Sequence, residues 1–278
     1  MESILFIVWR ESIEAVLIVS ILYTYLMRSE QGRQGLKYLW AGVAGGLGLS
    51  VVLGLATLWI QSDLQEHQME YFRIGMQFAA AALMTQMVLW MRRRGPQLKH
   101  TLQSGVDRAM GSGSLIGVSV VALLSIAREG AETVVYVYGL GLEHGAASLS
   151  IAAAVALGFG LALATAWAVS KGVRFLNYRV FFRVTEVILL FSAAGLLVGG
   201  VSGLVAMDAL PALVGTLWNT SAILDSGSRV GSIVAALTGY RSQPSLILVL
   251  AYAAFWAITL MLLKRPAARP AGSARAAA

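Results

Sequence analysis

The sequence predicts an all-α integral membrane protein with seven transmembrane helices, built as two inverted three-helix repeats followed by a seventh helix. Three observations carry that expectation. The chain of 278 residues is 58% hydrophobic and only 13% charged, with a mean hydropathy of +0.73. Its apolar runs are joined by connections that alternate between basic and nearly base-free. One charged pentapeptide, RESIE at 10–14, returns as REGAE at 128–132.

Runs of about 20 apolar residues, enough to cross a bilayer core, lie near 4–27, 38–60, 72–91, 115–140, 147–170, 182–207 and 245–263. The first has no basic n-region and no small-residue cleavage site, so it is expected to remain as a helix and not to be removed as a signal peptide. The connection 61–71 holds Asp63, Glu66, His67 and Glu70. These could capture cations outside the membrane, and a solvated acidic loop explains them equally well. On the third run Met84, Met87 and Met91 suit gap-filling in a core, with a thioether path for Cu(I) as the alternative. In 97–110, Leu98, Leu102, Val106 and Met110 recur every four residues. That spacing predicts a short amphipathic helix on the membrane surface, against a plain solvated loop.

The sixth run carries Glu186 near its start, a possible exit-side ligand or a carboxylate snorkelling beside Arg183. Gly195, Gly199 and Gly203 form a tandem GxxxG for close helix packing. His100 and His144 are isolated in loops. The expected units are therefore 1–91 (first repeat), 92–114 (basic cytoplasmic loop), 115–207 (second repeat), 208–244 (long external loop), 245–263 (seventh helix) and 264–278 (disordered tail).

Orientation follows from charge. The loops 28–37, 92–114 and 171–183 and the tail together hold sixteen basic residues, whereas the alternate loops hold only Arg229 and Arg241. The positive-inside rule puts the N-terminus outside and the C-terminus in the cytoplasm, with the lipid bilayer as the main partner. The net charge of +7 is accounted for by that asymmetry, so no nucleic-acid partner is implied. Cysteine is absent, which excludes disulfides and thiolate metal sites.

Charges inside two of these runs need a reason, because each costs roughly 2.5–3.5 kcal/mol at mid-membrane even on lenient scales. In each pentapeptide the glutamates are at i and i+3, on one helix face, and the preceding Arg reaches the second Glu across one turn. The guanidinium keeps that carboxylate ionised against desolvation. A weaker echo, YFRIG at 71–75 against FFRVT at 181–185, supports a correspondence of spans 1–3 with spans 4–6. Three spans per unit is an odd number, so the second unit enters upside down, and such repeats place a substrate site at their interface. Both motifs then lie ~12–17 Å below the outer face, with Glu11 level with Glu132 and Glu14 level with Glu129. Four glutamates against Arg10 and Arg128 leave an oxygen-lined site of net charge about minus two, suited to a hard cation. A single such motif could be a structural staple between helices; two copies with surplus carboxylates fit a functional site better.

Paired Arg-Glu-x-x-Glu motifs in the first and fourth spans of a seven-helix chain resemble the oxidase-dependent iron permease family, comprising fungal high-affinity iron permeases and bacterial EfeU-type ferrous iron permeases. The segment 217–245, with its Trp-x-x-Ser start and Gly-Tyr-x-x-x-Pro-Ser end, is similar to the bacterial branch. The resemblance implies that Glu11, Glu14, Glu129 and Glu132 handle iron, supported by Arg10 and Arg128. It also implies a multi-pass bacterial inner-membrane protein that is not an enzyme. Iron would be its transported substrate, with no bound organic cofactor. A separate extracytoplasmic oxidase, peroxidase or iron-binding protein would oxidise Fe2+, and Fe3+ would pass inward. Two departures stand out: Ser12 occupies the place of Gly130, and Asn219 stands where some relatives carry Asp. The alternatives are a transporter of another divalent metal such as Mn2+, and an intramembrane acid–base enzyme. No nucleophile or histidine accompanies the glutamates to favour the enzyme.

Overall fold

The computed structural model describes residues 2–28, 30–94, 97–111, 115–143, 148–170, 178–211 and 213–264. The expected disordered tail from 265 onward, His144 and most of the basic stretch 171–183 lie outside those residues. The described chain forms ten helices: α1 (Glu2–Leu26), α2 (Glu30–Gln34), α3 (Leu36–Asp63), α4 (Glu66–Arg94), α5 (Leu98–Gly111), α6 (Ile116–Glu143), α7 (Ser148–Ser170), α8 (Tyr178–Ala206), α9 (Arg229–Thr238) and α10 (Leu246–Lys264). Pro211 and Pro244 both fall between helices, where a missing N–H breaks no ladder.

Seven of these helices, α1, α3, α4, α6, α7, α8 and α10, have 19 to 29 residues. At 1.5 Å per residue they extend ~28–44 Å. Five of them, all but α1 and α6, are long and apolar enough to cross a membrane. The two exceptions are the helices that carry Arg10, Glu11 and Glu14, or Arg128, Glu129 and Glu132. Burial runs opposite to that of a water-soluble fold. Five of those six charged residues are buried and only Arg128 is partly open, while Trp59, Leu149, Leu157 and Trp167 on α3 and α7 lie open. This is the surface that a multi-pass protein of the cell membrane presents to lipid.

Contacts fix the relative directions. Ile4, Ile7 and Val8 at the start of α1 cluster with Tyr136, Val137 and Leu140 near the end of α6. Leu22 and Leu26 at the other end of α1 cluster with Val118 and Ala122. The two helices are therefore antiparallel. Beside them α3 runs parallel to α6, and α7 runs parallel to α1, through a recurring contact. A Cβ added to Gly46 of α3 would lie 2.8 Å from the Ile126 Cβ and 3.0 Å from the Leu123 carbonyl oxygen. One added to Gly158 of α7 would lie 3.0 Å from the Val8 Cβ and 2.8 Å from the Leu5 carbonyl oxygen. Val8 and Leu5 correspond to Ile126 and Leu123 at the 118-residue offset of the pentapeptides.

Helix α4 runs antiparallel to both α6 and α8. Ala80 meets Gly139 and Trp90 meets Arg128; Ile74 meets Gly203 and Phe78 meets Gly200. The amphipathic helix expected over 97–110 is present as α5, packing Leu102 and Val106 against Leu22, Leu26 and Val118. The segment 208–244 departs from a plain external loop. Ser228 caps α9 by accepting from the Gly231 amide at 3.0 Å, and Gly239 ends it in the left-handed region at φ 74°. A Cβ on Gly239 would be 3.0 Å from the Gly195 Cα, eleven residues inside the end of α8, or ~16 Å along it. The first glycine of the GxxxG series thus receives α9 and the third receives α4, both from within this chain.

Candidate functional site

The antiparallel crossing of α1 and α6 brings the two pentapeptides together. In the first, Arg10 Nη1 donates to Glu11 Oε1 at 2.6 Å and Nη2 lies 2.5 Å from Glu14 Oε1. In the second, Arg128 Nε donates to Glu132 Oε1 at 2.9 Å. Both arginines reach the glutamate four residues on, as expected, and Arg10 also holds its immediate neighbour.

Glu11, Glu14 and Glu129 each present an oxygen, and the three oxygens lie within 4.8 Å of one another in a buried position. Glu11 Oε2 and Glu129 Oε2 are buried with no hydrogen-bond partner. Buried acceptors without donors are costly, and three close carboxylates repel one another. A cation among them relieves both costs, and an all-oxygen donor set favours a hard one.

Glu132, expected as the fourth member, is turned aside. Its Oε1 is taken by Arg128, and its Oε2 accepts from the Tyr136 hydroxyl at 3.1 Å. With both oxygens satisfied by its own helix, nothing draws this side chain to the other three. The two arginines also differ in surroundings. The Arg10 side chain is 2% exposed and that of Arg128 40% exposed. Arg128 and Glu132 border a 380 Å³ cavity whose other walls include Leu83, Gln86, Met87 and Trp90 of α4.

The remaining candidates do not join this site. Asp63 and Glu70 are exposed, and the side chain of Glu66 lies outside those described. Among the described residues, no second group of three carboxylates or histidines converges. Glu186 pairs with Arg92 across α4 and α8 and not with Arg183, because the antiparallel packing sets the end of α4 beside the start of α8. His100 is exposed, and His67 stands edge-on to Tyr71. Asn219 Oδ1 accepts from both the amide and the hydroxyl of Ser221, a local turn.

Sequence reading missed four contributors. Tyr136 is fully buried one turn beyond Glu132, and that i+4 spacing of a tyrosine after a charged motif was the available signal. Met87 and Met91 accept from Arg10, and Trp90 lies under Arg128. Only a tertiary contact reveals those three. Gly130 also proves to be a tight position: an added Cβ would collide with the Ser50 side chain of α3.

A family model described as the iron permease FTR1 family matches residues 1–268. The chain is 30% identical over 281 residues to a protein of Yersinia pestis called ferrous iron permease EfeU, covering 98% of this chain and 96% of that one. The same name is carried by a Yersinia pseudotuberculosis protein, also 30% identical with 98% and 95% coverage, and by one from Escherichia coli O6:H1, 30% identical over 241 residues and 86% of each chain. No solved structure matches the chain.

Proposed function

The chain belongs to the iron permease FTR1 family, and from that premise we propose that it moves iron into the cytoplasm through the buried carboxylates of α1 and α6. The observation that carries this reading is the convergence of Glu11, Glu14 and Glu129 oxygens within 4.8 Å of one another. Three carboxylate oxygens can replace part of the hydration shell of a multivalent cation, and the two unpartnered oxygens are free to do so. Glu132 is the fourth ligand of the working site, kept aside by Tyr136 and Arg128 until an ion arrives.

The transported species is Fe3+. Ferric iron is the harder acid and is matched by carboxylates alone, whereas ferrous iron would gain from softer nitrogen or sulfur donors. The name of the relatives specifies ferrous iron, which fits supply as Fe2+ followed by oxidation outside the membrane. A separate extracytoplasmic oxidase, peroxidase or iron-binding protein performs that step.

The scaffold reading is seven spans, with α1 and α6 crossing the membrane despite their charges because those charges face each other. Helices α1, α3 and α4 form one repeat and α6, α7 and α8 its inverted mate. The antiparallel α1–α6 pair and the equivalent seats of Gly46 and Gly158 support this. The N-terminus is outside and the C-terminus cytoplasmic, in a bacterial inner membrane, a reading that the charge asymmetry of the loops supports.

Uptake of radiolabelled iron into vesicles containing the purified protein tests the reading. With Fe2+ kept reduced by ascorbate, flux should be low; in ascorbate-free, oxygenated medium an external ferroxidase should raise it severalfold. Equal flux under both conditions contradicts Fe3+ as the transported species, and competition by Mn2+ at equal concentration would favour the divalent-metal alternative.

A further inference from the structure

Helix α4 carries neither pentapeptide, yet it touches both of their arginines. Met87 Sδ lies 3.1 Å from Arg10 Nη1, and Met91 Sδ lies 3.3 Å from Arg10 Nη2. The Arg128 guanidinium carbon is 4.6 Å from the centroid of the Trp90 ring. Residues four apart share a helix face, and Trp90 flanks that face at about 60° from Met87. One turn of α4 therefore addresses both motifs.

We propose that Met87, Trp90 and Met91 are positioning residues for transport, holding the Arg10 and Arg128 guanidiniums in the poses that aim the glutamates. The inference rests on the reading of those glutamates as the iron site.

The choice of side chains has a chemical reason. Arg10 is 1% exposed and its Nε is buried without a partner, so it has no surplus of acceptors. A hydrocarbon at position 87 or 91 would orphan further N–H groups. An oxygen anion there would satisfy them but would add a negative charge and compete for the cation. A thioether accepts weakly, carries no charge, and is too soft to be captured by a hard ion. Arg128, open to the cavity, is held by the face of an indole, the strongest aromatic partner for a cation. In α8, at the 110-residue offset of the weaker echo, the equivalent positions are Leu197, Gly200 and Val201. None of these could hold a guanidinium, so α4 serves both halves alone.

The experiment compares purified wild type, Met87→Leu/Met91→Leu, Met87→Gln/Met91→Gln, Trp90→Phe and Trp90→Leu in vesicle uptake of ferric citrate, with thermal unfolding recorded for each and Glu129→Ala alongside. Leucine preserves volume without an acceptor; glutamine supplies a neutral acceptor of similar length. The leucine pair should unfold near the wild-type temperature and raise the apparent KM at least tenfold, since it removes two hydrogen bonds to a charged group and one alone is worth about that much. The glutamine pair should stay within about threefold of wild type, and Trp90→Phe should outperform Trp90→Leu. An unchanged KM in the leucine pair, or equal losses with leucine and glutamine, overturns the proposal. If the leucine pair does not accumulate, Met91→Leu alone, at a half-buried position, is judged by the same KM criterion. Full uptake by Glu129→Ala sinks the carboxylate reading itself and this inference with it, whereas loss in Glu129→Ala with normal leucine variants sinks only this inference.

Discussion

The Tyr136 hydroxyl donates to Glu132 Oε2 across 3.1 Å, and this bond distinguishes Glu132 from the three glutamates whose oxygens converge. It makes the two halves of a repeated motif unequal. The half on α1 is sealed and clamped by Arg10, while the half on α6 borders a cavity and holds Glu132 between Arg128 and Tyr136.

Tyr136→Phe removes that donor with little change in volume. Glu132 Oε2 is then released, leaving only Arg128 to hold the side chain away from the other three carboxylates, so iron should bind more tightly and leave more slowly. Vesicle uptake should show apparent KM and maximal rate both falling, by about threefold to tenfold for one hydrogen bond to a charged group. A variant with both parameters unchanged argues that Glu132 does not exchange partners.

Gly130→Ala should destabilise the protein by about 1–3 kcal/mol, the usual cost of overpacking a close contact, because the new methyl group meets Ser50. Ser50→Gly in the same chain should restore most of the loss, measured by thermal unfolding in detergent. Ser12, at the matching position of the first motif, already carries a side chain, so Ser12→Ala should be close to neutral. No rescue by Ser50→Gly would show that Gly130 matters for some other reason than this contact.

Gly46 and Gly158 occupy equivalent seats, against Ile126 and the Leu123 carbonyl, or against Val8 and the Leu5 carbonyl. Each Gly→Val substitution should lower stability by a similar amount, about 1–3 kcal/mol. The proposed inverted repeat requires that similarity. A large loss at one seat and none at the other would count against structural equivalence of the halves.

Glu186 offers a sharper choice than its sequence context does. It pairs with Arg92, whose side chain is 48% exposed, and exposed pairs contribute roughly 0–1 kcal/mol. Glu186→Gln should keep iron uptake within about twofold of wild type, consistent with that small contribution. Loss of uptake with normal folding would restore Glu186 as an exit-side ligand.

The helical membrane architecture was legible because apolar length and loop charge are one-dimensional signals. The doubled pentapeptide was legible for the same reason, and with it Arg10, Glu11, Glu14, Arg128, Glu129 and Glu132. What escaped depends on which helix comes third. Met87 and Met91 read as core fillers, since a methionine on an apolar helix gives no sign that a guanidinium faces it. Trp90 is an ordinary apolar residue until Arg128 lies over it. Helix α9 has only ten residues, with Gly231 and Ser232 inside it and Gly239 at its end, so by composition it reads as loop. Its course beside α8 is set by the Gly195–Gly239 contact, a pairing that spacing along the chain does not encode.

The measurement that tests the central claim most directly is X-ray absorption at the iron edge on purified, iron-loaded protein, wild type against Glu11→Gln/Glu14→Gln/Glu129→Gln. The account predicts tightly retained ferric iron with an oxygen-only first shell in the wild type, and loss of that bound iron in the triple variant with its helical content intact. Iron retained by the triple variant at the wild-type level, or a sulfur or nitrogen shell around it, would place the ion elsewhere and contradict the account.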